Sequence, residues 1–359
     1  MKLRLVDGLT LSGRPFGAPR QVSGEVVFNT GMTGYVETLT DPSYKGQILV
    51  LTYPLQGNYG VPAPPYESTK IQVEGLIVSH YASGPHHHEA VKSLSKWLKD
   101  QGVPAIEGVD TRALTRHLRE FGTVQGSLLE EGGDGAIFGV DMNQVAKMVT
   151  CREPSFYGEG PLTIMVIDTG VKESIITCLT NRGVRVLRVP YHHPWEEHLP
   201  QVHGVVLSNG PGDPASLERL VDRLGVLVKA PPVPVFGICL GHQLLARATG
   251  AETYKMKYGH RSFNQPVQDI LTKRAYITSQ NHGYAVNTDT LQAAWEPWFI
   301  NLHDRTNEGI RHRELPISSV QFHPEASAGP RDTSYLFDDF LRSVSKHAGV
   351  EVDGLRLSA

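Results

Sequence analysis

A single cysteine between two glycines, where an apolar run meets a helical pattern, constrains this chain more than any other feature. Residues 233–238 (VPVFGI) form a short run with β-branched residues, which is typical of a buried parallel strand. After Cys239, apolar residues recur at helical spacing until Gly250. This pattern predicts a nucleophile elbow with a thiol at its tip. Because a helix N-terminus stabilises negative charge, we interpret Cys239 as a nucleophile rather than a small buried apolar residue.

The fold class follows from the alternation of strands and helices in the second half of the chain. Strands are expected at 162–167, 184–189 and 204–207, with helical patterns between and after them. This order predicts an α/β domain with a doubly wound, mostly parallel sheet. The N-terminal half mixes short strands with two helices, expected at 88–101 and 110–122. The predicted domain boundaries are 1–150 for an N-terminal domain, 151–161 for a linker, 162–346 for the α/β domain and 347–359 for a tail.

Composition argues against several classes of protein. The formal net charge of −3 argues against nucleic-acid binding and against an anionic membrane surface. Three cysteines form too sparse and odd a set for a disulfide framework, which favours a reducing, cytoplasmic location. No secretory signal and no apolar run of the length of a membrane span is expected.

A second chemical motif lies near the C-terminus, in residues 321–325 (QFHPE) after a predicted strand at 317–320. Side chains two residues apart in an extended segment point the same way, so His323 and Glu325 are expected to share a face. A cysteine nucleophile needs a base, and the base gains from a carboxylate that orients it. Cys239, His323 and Glu325 therefore match the three roles of a catalytic triad.

Cofactor motifs are weak or missing. Residues 210–215 (GPGDPA) formally match a dinucleotide fingerprint, but two prolines remove backbone donors and the loop follows the third strand. No phosphate-binding loop of the P-loop type occurs, and Cys239 with His242 lacks a second ligand pair for zinc. The sequence therefore predicts no metal and no nucleotide in this chain. Residues 280–284 (QNHGY), after a predicted strand at 275–278, are interpreted as a tight polar turn.

Taken together, three segments resemble the class I, or triad, glutamine amidotransferase family: 208–214 (SNGPGDP), 236–245 (FGICLGHQLL) and 321–325 (QFHPE). The N-terminal half resembles the domain peculiar to the carbamoyl-phosphate synthetase small-subunit family. The segments that carry this second resemblance lie at 24–60, 103–122, 254–267 and 279–286.

This resemblance implies a role for individual residues. Cys239 would be the nucleophile, His323 the base and Glu325 its orienting carboxylate, with backbone N–H groups of Gly212 and Leu240 forming the oxyanion hole. Ser43 is in the N-terminal domain, so the resemblance implies a site completed across the domain boundary. The residues expected to hold glutamine are Ser43, Gly210, Gly212, Leu240, Gln243, Asn281, Gly283 and Tyr284.

The resemblance also implies an activity and a partner. A glutaminase would release ammonia to a large synthetase subunit, which would use ATP and Mg²⁺ to form carbamoyl phosphate from bicarbonate. This chain itself would need no cofactor. Two alternatives stay open at this point. One is another triad amidotransferase subunit or a free-standing γ-glutamyl hydrolase, and the other is a non-catalytic binding or regulatory subunit.

Overall fold

The computed structural model describes residues 1–130, 132–133, 141–351 and 355–357. The chain divides into two compact units, Met1–Val145 and Ala146–Ala359, and each is described here by itself. No helix among the described residues is both long and apolar enough to cross a membrane.

The first unit is built on an eight-stranded mixed sheet with strand order β2-β1-β10-β4-β5-β7-β9-β3. Strands β4, β5, β7 and β9 are parallel neighbours, while β10 and β1 extend the sheet in antiparallel fashion. A separate parallel pair is formed by β6 and β8. The strands are β1 Lys2–Leu5, β2 Thr10–Ser12, β3 Arg14–Pro15, β4 Val22–Asn29, β5 Gln47–Leu51, β6 Leu55–Gln56, β7 Gly75–Ile77, β8 His80–Tyr81, β9 Ala105–Glu107 and β10 Val124–Leu129.

The first unit contains short helices, two of which begin at side-chain caps. They are α1 Tyr35–Thr40, α2 Leu94–Asp100 and α3 Thr111–Phe121, and α4 Val145–Val149 contains the division between the units. The prediction of a helix at 110–122 is confirmed, since Asp110 caps the Ala113 N–H and α3 ends at Gly122. The helix expected from 88 begins later, because the Ser93 hydroxyl caps the first turn of α2.

The second unit contains a ten-stranded sheet with order β11-β13-β12-β14-β15-β20-β19-β18-β16-β17. Five neighbouring strands of this sheet are parallel, in the order β13, β12, β14, β15 and β20, which confirms the predicted α/β class. Antiparallel strands flank them on both sides. The strands are β11 Ser155–Tyr157, β12 Thr163–Asp168, β13 Arg185–Pro190, β14 Gly204–Leu207, β15 Val235–Ile238, β16 Thr253–Asp269, β17 Ala275–Val286, β18 Trp295–Asn301, β19 Asn307–His312 and β20 Ile317–Val320.

Helices cover both faces of the parallel strands. Met165 and Ile167 of β12 pack into one apolar core, and the alternate residues Ile164 and Val166 pack into the other. Because successive side chains of a strand point to opposite faces, each parallel strand contributes to both cores, which explains its continuous apolar sequence. The helices are α5 Glu173–Thr180, α6 Glu218–Lys229, α7 Leu240–Ala248 and α8 Tyr335–Ala348.

Two segments differ from the expected structure. The stretch 151–161, expected as a linker, contributes strand β11, which pairs with β13. Residues 280–284 are not a turn, because β17 runs through them and pairs with β16 as far as Val286. The prediction of a turn there was wrong, because pairing with β16 keeps this glycine-containing polar segment extended. In the predicted tail, residues 352–354 and 358–359 lie outside the described residues.

Glycine substitutions in α6 and α7 test how closely α7 packs on the sheet. A Cβ at Gly241 would lie 2.2 Å from the Leu207 carbonyl oxygen of β14, so Gly241→Ala must displace α7 and should cost roughly 2 kcal/mol or more. The matched control is Gly225→Ala in α6, where the nearest atom is at 3.4 Å, and we expect a gain of about 0.5–1 kcal/mol from helix propensity. Unfolding by calorimetry measures both, and equal melting temperatures would contradict this account.

Candidate active site

The nucleophile elbow is formed by the end of β15 and the start of α7. Cys239 joins the two elements with a φ of 54° and a ψ of −104°, a left-handed conformation that non-glycine residues rarely adopt. Its backbone N–H donates to the Val320 carbonyl of β20 at 2.9 Å. This bond fixes the strained residue to the neighbouring strand, and the side chain is buried.

The two glycines of the motif are needed for close packing rather than for the turn itself. A Cβ at Gly237 would come within 2.8 Å of the Gly241 carbonyl, and one at Gly241 would collide with Leu207. Neither glycine is among the residues with positive φ, so Cys239 itself carries the backbone strain. The strand–cysteine–helix elbow was predicted correctly from the sequence, and its two glycines allow α7 to pack closely on the sheet.

His323 and Glu325 follow the end of β20 and lie together as the sequence predicted. The Nδ1–H group of His323 donates to Glu325 Oε1 at 2.6 Å. The backbone N–H of His323 also donates to the Ser279 carbonyl of β17 at 2.9 Å. Both side chains are at most 2% exposed, so solvent does not screen their interaction. His323 is therefore fixed both by its backbone N–H and by one nitrogen of its ring.

Lys172 is a residue that the sequence analysis missed. Its ammonium lies 3.1 Å from Glu325 Oε1 and donates to the Ala326 carbonyl at 2.7 Å, with a side chain only 4% exposed. The lysine lies in the loop after β12, where the Gly170 and Val171 N–H groups donate to Asp168. A lysine at the carboxyl end of a predicted parallel strand is the signal that could have identified it.

Charge governs the protonation of this cluster. Burial alone raises the pKa of Glu325, but the nearby Lys172 and His323 outweigh it and lower the pKa to about 2. Burial alone lowers the pKa of His323, yet the negative charges of Glu325 and Cys239 and the hydrogen bond to Glu325 raise it to about 10. Glu325 is therefore a carboxylate at neutral pH, and His323 favours the imidazolium form.

Cys239 faces both the histidine and strand β17. Its Sγ lies 3.7 Å from the Asn281 carbonyl oxygen, which accepts the thiol hydrogen when the sulfur is protonated. Nε2 of His323 is buried and has no hydrogen bond within the described residues. Cys239 and His323 contact the same stretch of β17, the first at Asn281 and the second at Ser279. The structure thus brings together the three residues of the predicted triad.

The remaining predicted residues of the second unit are located around this cluster. Gly210 packs so tightly that a Cβ would lie 2.2 Å from the Thr169 carbonyl, while Gly212 has a φ of 98°. Leu240 occupies the first helical position of α7, where backbone N–H groups have no partner within the helix. The Gln243 amide donates to the Tyr284 carbonyl at 2.9 Å and to Gln321 at 3.0 Å, so it joins α7 to β17.

Two further predicted residues can be placed. Gly283 lies in β17, where a Cβ would come 3.1 Å from a guanidinium nitrogen of Arg261. Ser43 belongs to the first unit, in the short 3₁₀ helix Pro42–Tyr44, and its N–H donates to Asp41 at 2.9 Å. The glutamine-binding roles of these residues stay predictions.

Comparison with known proteins places this geometry in a family. Residues 3–128 match the model of the carbamoyl-phosphate synthase small chain, CPSase domain, and residues 165–343 match that of class-I glutamine amidotransferases. The arginine-specific small chain of carbamoyl phosphate synthase from Yarrowia lipolytica is 46% identical over 98% of this chain and 84% of that protein. This chain belongs to the carbamoyl-phosphate synthase small-chain family.

Two further comparisons involve a much longer protein and a solved structure of low similarity. The chain is 45% identical to the Multifunctional protein URA2 of Saccharomyces cerevisiae over 98% of its own length, but spans 18% of that protein. A solved glutamine amidotransferase from Thermotoga maritima has 20% identity and a TM-score of 0.36, over 53% of this chain and 86% of that one.

Replacement of Lys172 tests the buried charge cluster. Lys172→Met leaves the Glu325 carboxylate buried without its cation, and we expect a loss of about 3–5 kcal/mol in the free energy of unfolding. The control is Lys96→Met, which removes an exposed pair with Asp100 and should cost less than about 1 kcal/mol. Urea unfolding measures both losses. Similar small losses would show that Lys172 does not stabilise Glu325.

Proposed function

We propose that this chain is the glutamine-hydrolysing subunit of a carbamoyl-phosphate synthetase. The observation that carries the proposal is the buried cluster of Cys239, His323 and Glu325 within a class-I glutamine amidotransferase domain. The CPSase small-chain domain at 3–128 narrows the proposal to this member of the class. A free-standing hydrolase would have no need of that domain.

The thiol chemistry follows from the protonation of the cluster. In this mechanism the Cys239 thiolate, paired with the His323 imidazolium, attacks the side-chain amide of glutamine. The imidazolium then protonates the leaving nitrogen, and ammonia departs as the γ-glutamyl thioester forms. Next, His323 takes a proton from water, which attacks the thioester and releases glutamate. Glu325 stabilises the imidazolium and fixes its tautomer in both steps.

The oxyanion of each tetrahedral intermediate needs backbone donors. We assign this role to the N–H groups of Leu240 and Gly212, the first at the N-terminus of α7 and the second in the loop after β14. In this proposal Gly210, Gln243, Asn281, Gly283 and Tyr284 surround the bound glutamine, with Ser43 of the first unit as a further binding residue.

Ammonia needs an acceptor substrate, which we assign to a partner subunit. Most ammonia in neutral water is protonated and loses its nucleophilicity, so transfer within a complex preserves its reactivity. We assign the use of ATP, Mg²⁺ and bicarbonate to a large synthetase subunit, because this sequence has no P-loop motif. A cytoplasmic location, inferred from the sparse cysteines, belongs to the same proposal.

Replacement of the sulfur tests the nucleophile. Cys239→Ser should abolish glutamate release from glutamine while the circular dichroism spectrum stays unchanged, since a hydroxyl is of similar size but far less acidic. The matched control is Cys151→Ser, in the loop before β11, which should retain wild-type turnover. Trapping a γ-glutamyl thioester on the Cys239→Ser protein would refute the assignment.

The partner hypothesis is tested by steady-state glutamate release. Catalysis depends on positions held within about 1 Å, so a partner that adjusts this site can change the rate on the order of a hundredfold. We expect the isolated chain to be a slow glutaminase that is accelerated by the large subunit, and further when ATP and bicarbonate are present. An isolated chain that already turns over at the rate of the complex would instead favour a free-standing hydrolase.

A further inference from the structure

A group of metal-ligating side chains lies in the second unit, apart from the triad residues. His260 of β16, His282 of β17 and Glu308 of β19 each offer a ligand atom, and these atoms lie within 4.8 Å of one another. All three residues are buried. Residues 260, 282 and 308 are far apart in sequence, and strand pairing brings them together: His260 is the direct register partner of His282.

Hydrogen bonds on the outer side of each group fix its orientation. His282 Nδ1–H donates to the Tyr284 carbonyl at 2.8 Å, and His260 Nε2–H donates to the Asp304 carboxylate at 2.9 Å. Asn301 donates to Glu308 Oε1 at 2.9 Å. The ring nitrogens that face the cluster are then Nδ1 of His260 and Nε2 of His282. His282 Nε2 also lies 3.1 Å from Gln280 Oε1, a contact that a metal ion would replace. Histidine bound to a carboxylate or carbonyl on its far side is the usual arrangement around a protein metal ion.

Two inner atoms of the group lack hydrogen-bond partners. His260 Nδ1 and Glu308 Oε2 are buried and have no hydrogen bond among the described residues. His260 Nδ1 lies 3.4 Å from the other carboxylate oxygen, Glu308 Oε1, as an ion pair. A buried polar atom without a partner costs about 1–3 kcal/mol, so a ligand that both atoms share would relieve an existing cost.

Charge favours a cation in this position. Glu308 and Asp304 supply two carboxylates around His260. Although burial lowers it, Asp304 and Glu308 raise the pKa of His260 to about 9, so a bound metal ion must displace a proton from that ring. Asp304 is 42% exposed, which gives the cluster one side open to solvent.

We propose that His260, His282 and Glu308 bind a divalent zinc ion. Two imidazole nitrogens and one carboxylate oxygen are a ligand set that zinc commonly takes, with a fourth position left for water. The ion would join β16, β17 and β19, and it would brace the segment of β17 that contains Asn281. Zinc at this site is therefore a structural support for the wall of the active site and takes no part in the thiol chemistry.

Metal titration of the full 359-residue chain tests the site. After treatment with a chelator, the protein is titrated with Zn²⁺ in competition with a chromophoric chelator, and with Co²⁺ as a spectroscopic probe. We expect one equivalent to bind, with visible cobalt bands typical of nitrogen and oxygen ligands. Glu308→Gln should weaken binding at least tenfold. The control is His303→Gln, which changes an exposed residue next to Asp304 and should leave the affinity unchanged.

A second variant distinguishes this site from the reactive thiol. Cys239→Ser should bind zinc as tightly as the wild type, because the sulfur is not among the proposed ligands. Loss of binding in Cys239→Ser, or a strong sulfur-to-cobalt charge-transfer band in the wild type, would overturn the proposal. Failure of the wild-type chain to bind one equivalent would also overturn it, and would leave His260 as an imidazolium between two carboxylates. The wild-type measurements decide the matter even if Glu308→Gln fails to fold.

Discussion

The carboxylate of Glu325, buried between an ammonium and an imidazole, is the interaction on which the active site depends. A carboxylate this deeply buried would be strongly disfavoured alone, and Lys172 and His323 each contact the same oxygen, Oε1. The loop after β12 supplies the lysine, and the end of β20 supplies the other two groups. Consequently, a buried charge cluster joins the loop after β12 to the end of β20 at the carboxyl edge of the parallel strands.

Sheet order explains why these groups meet. Strand β15 lies between β14 and β20, so the elbow at its end is flanked by the 208–212 loop on one side and by His323 on the other. Parallel strands place their carboxyl ends at one edge, where ligands of open α/β sheets bind. The strained backbone of Cys239 persists because Val320 holds its N–H and Leu207 leaves no room for α7 to shift.

The sequence predicted the parts of this site that depend on local patterns. Apolar runs located the strands from β12 to β15, and the spacing of His323 and Glu325 identified their shared face. Lys172 was missed because its importance comes from a residue about 150 positions away. The sequence predicts a turn at 280–284, because a lone glycine and polar side chains are typical of turns. Its true conformation is imposed by β16, whose register with β17 no short window of sequence reveals.

Strand β17 has one further mechanical consequence. The Asn281 carbonyl that faces the Cys239 sulfur and the N–H of His282 belong to the same peptide group. Peptide groups are planar and resist twisting, so the Asn281 carbonyl and the His282 N–H move together as one rigid group. A rotation of this peptide group that displaces the His282 N–H therefore also reorients the Asn281 carbonyl dipole that faces the sulfur. The environment of the nucleophile and the position of the neighbouring imidazole are thus geometrically linked through a single covalent plane, without any chain of side-chain contacts between them.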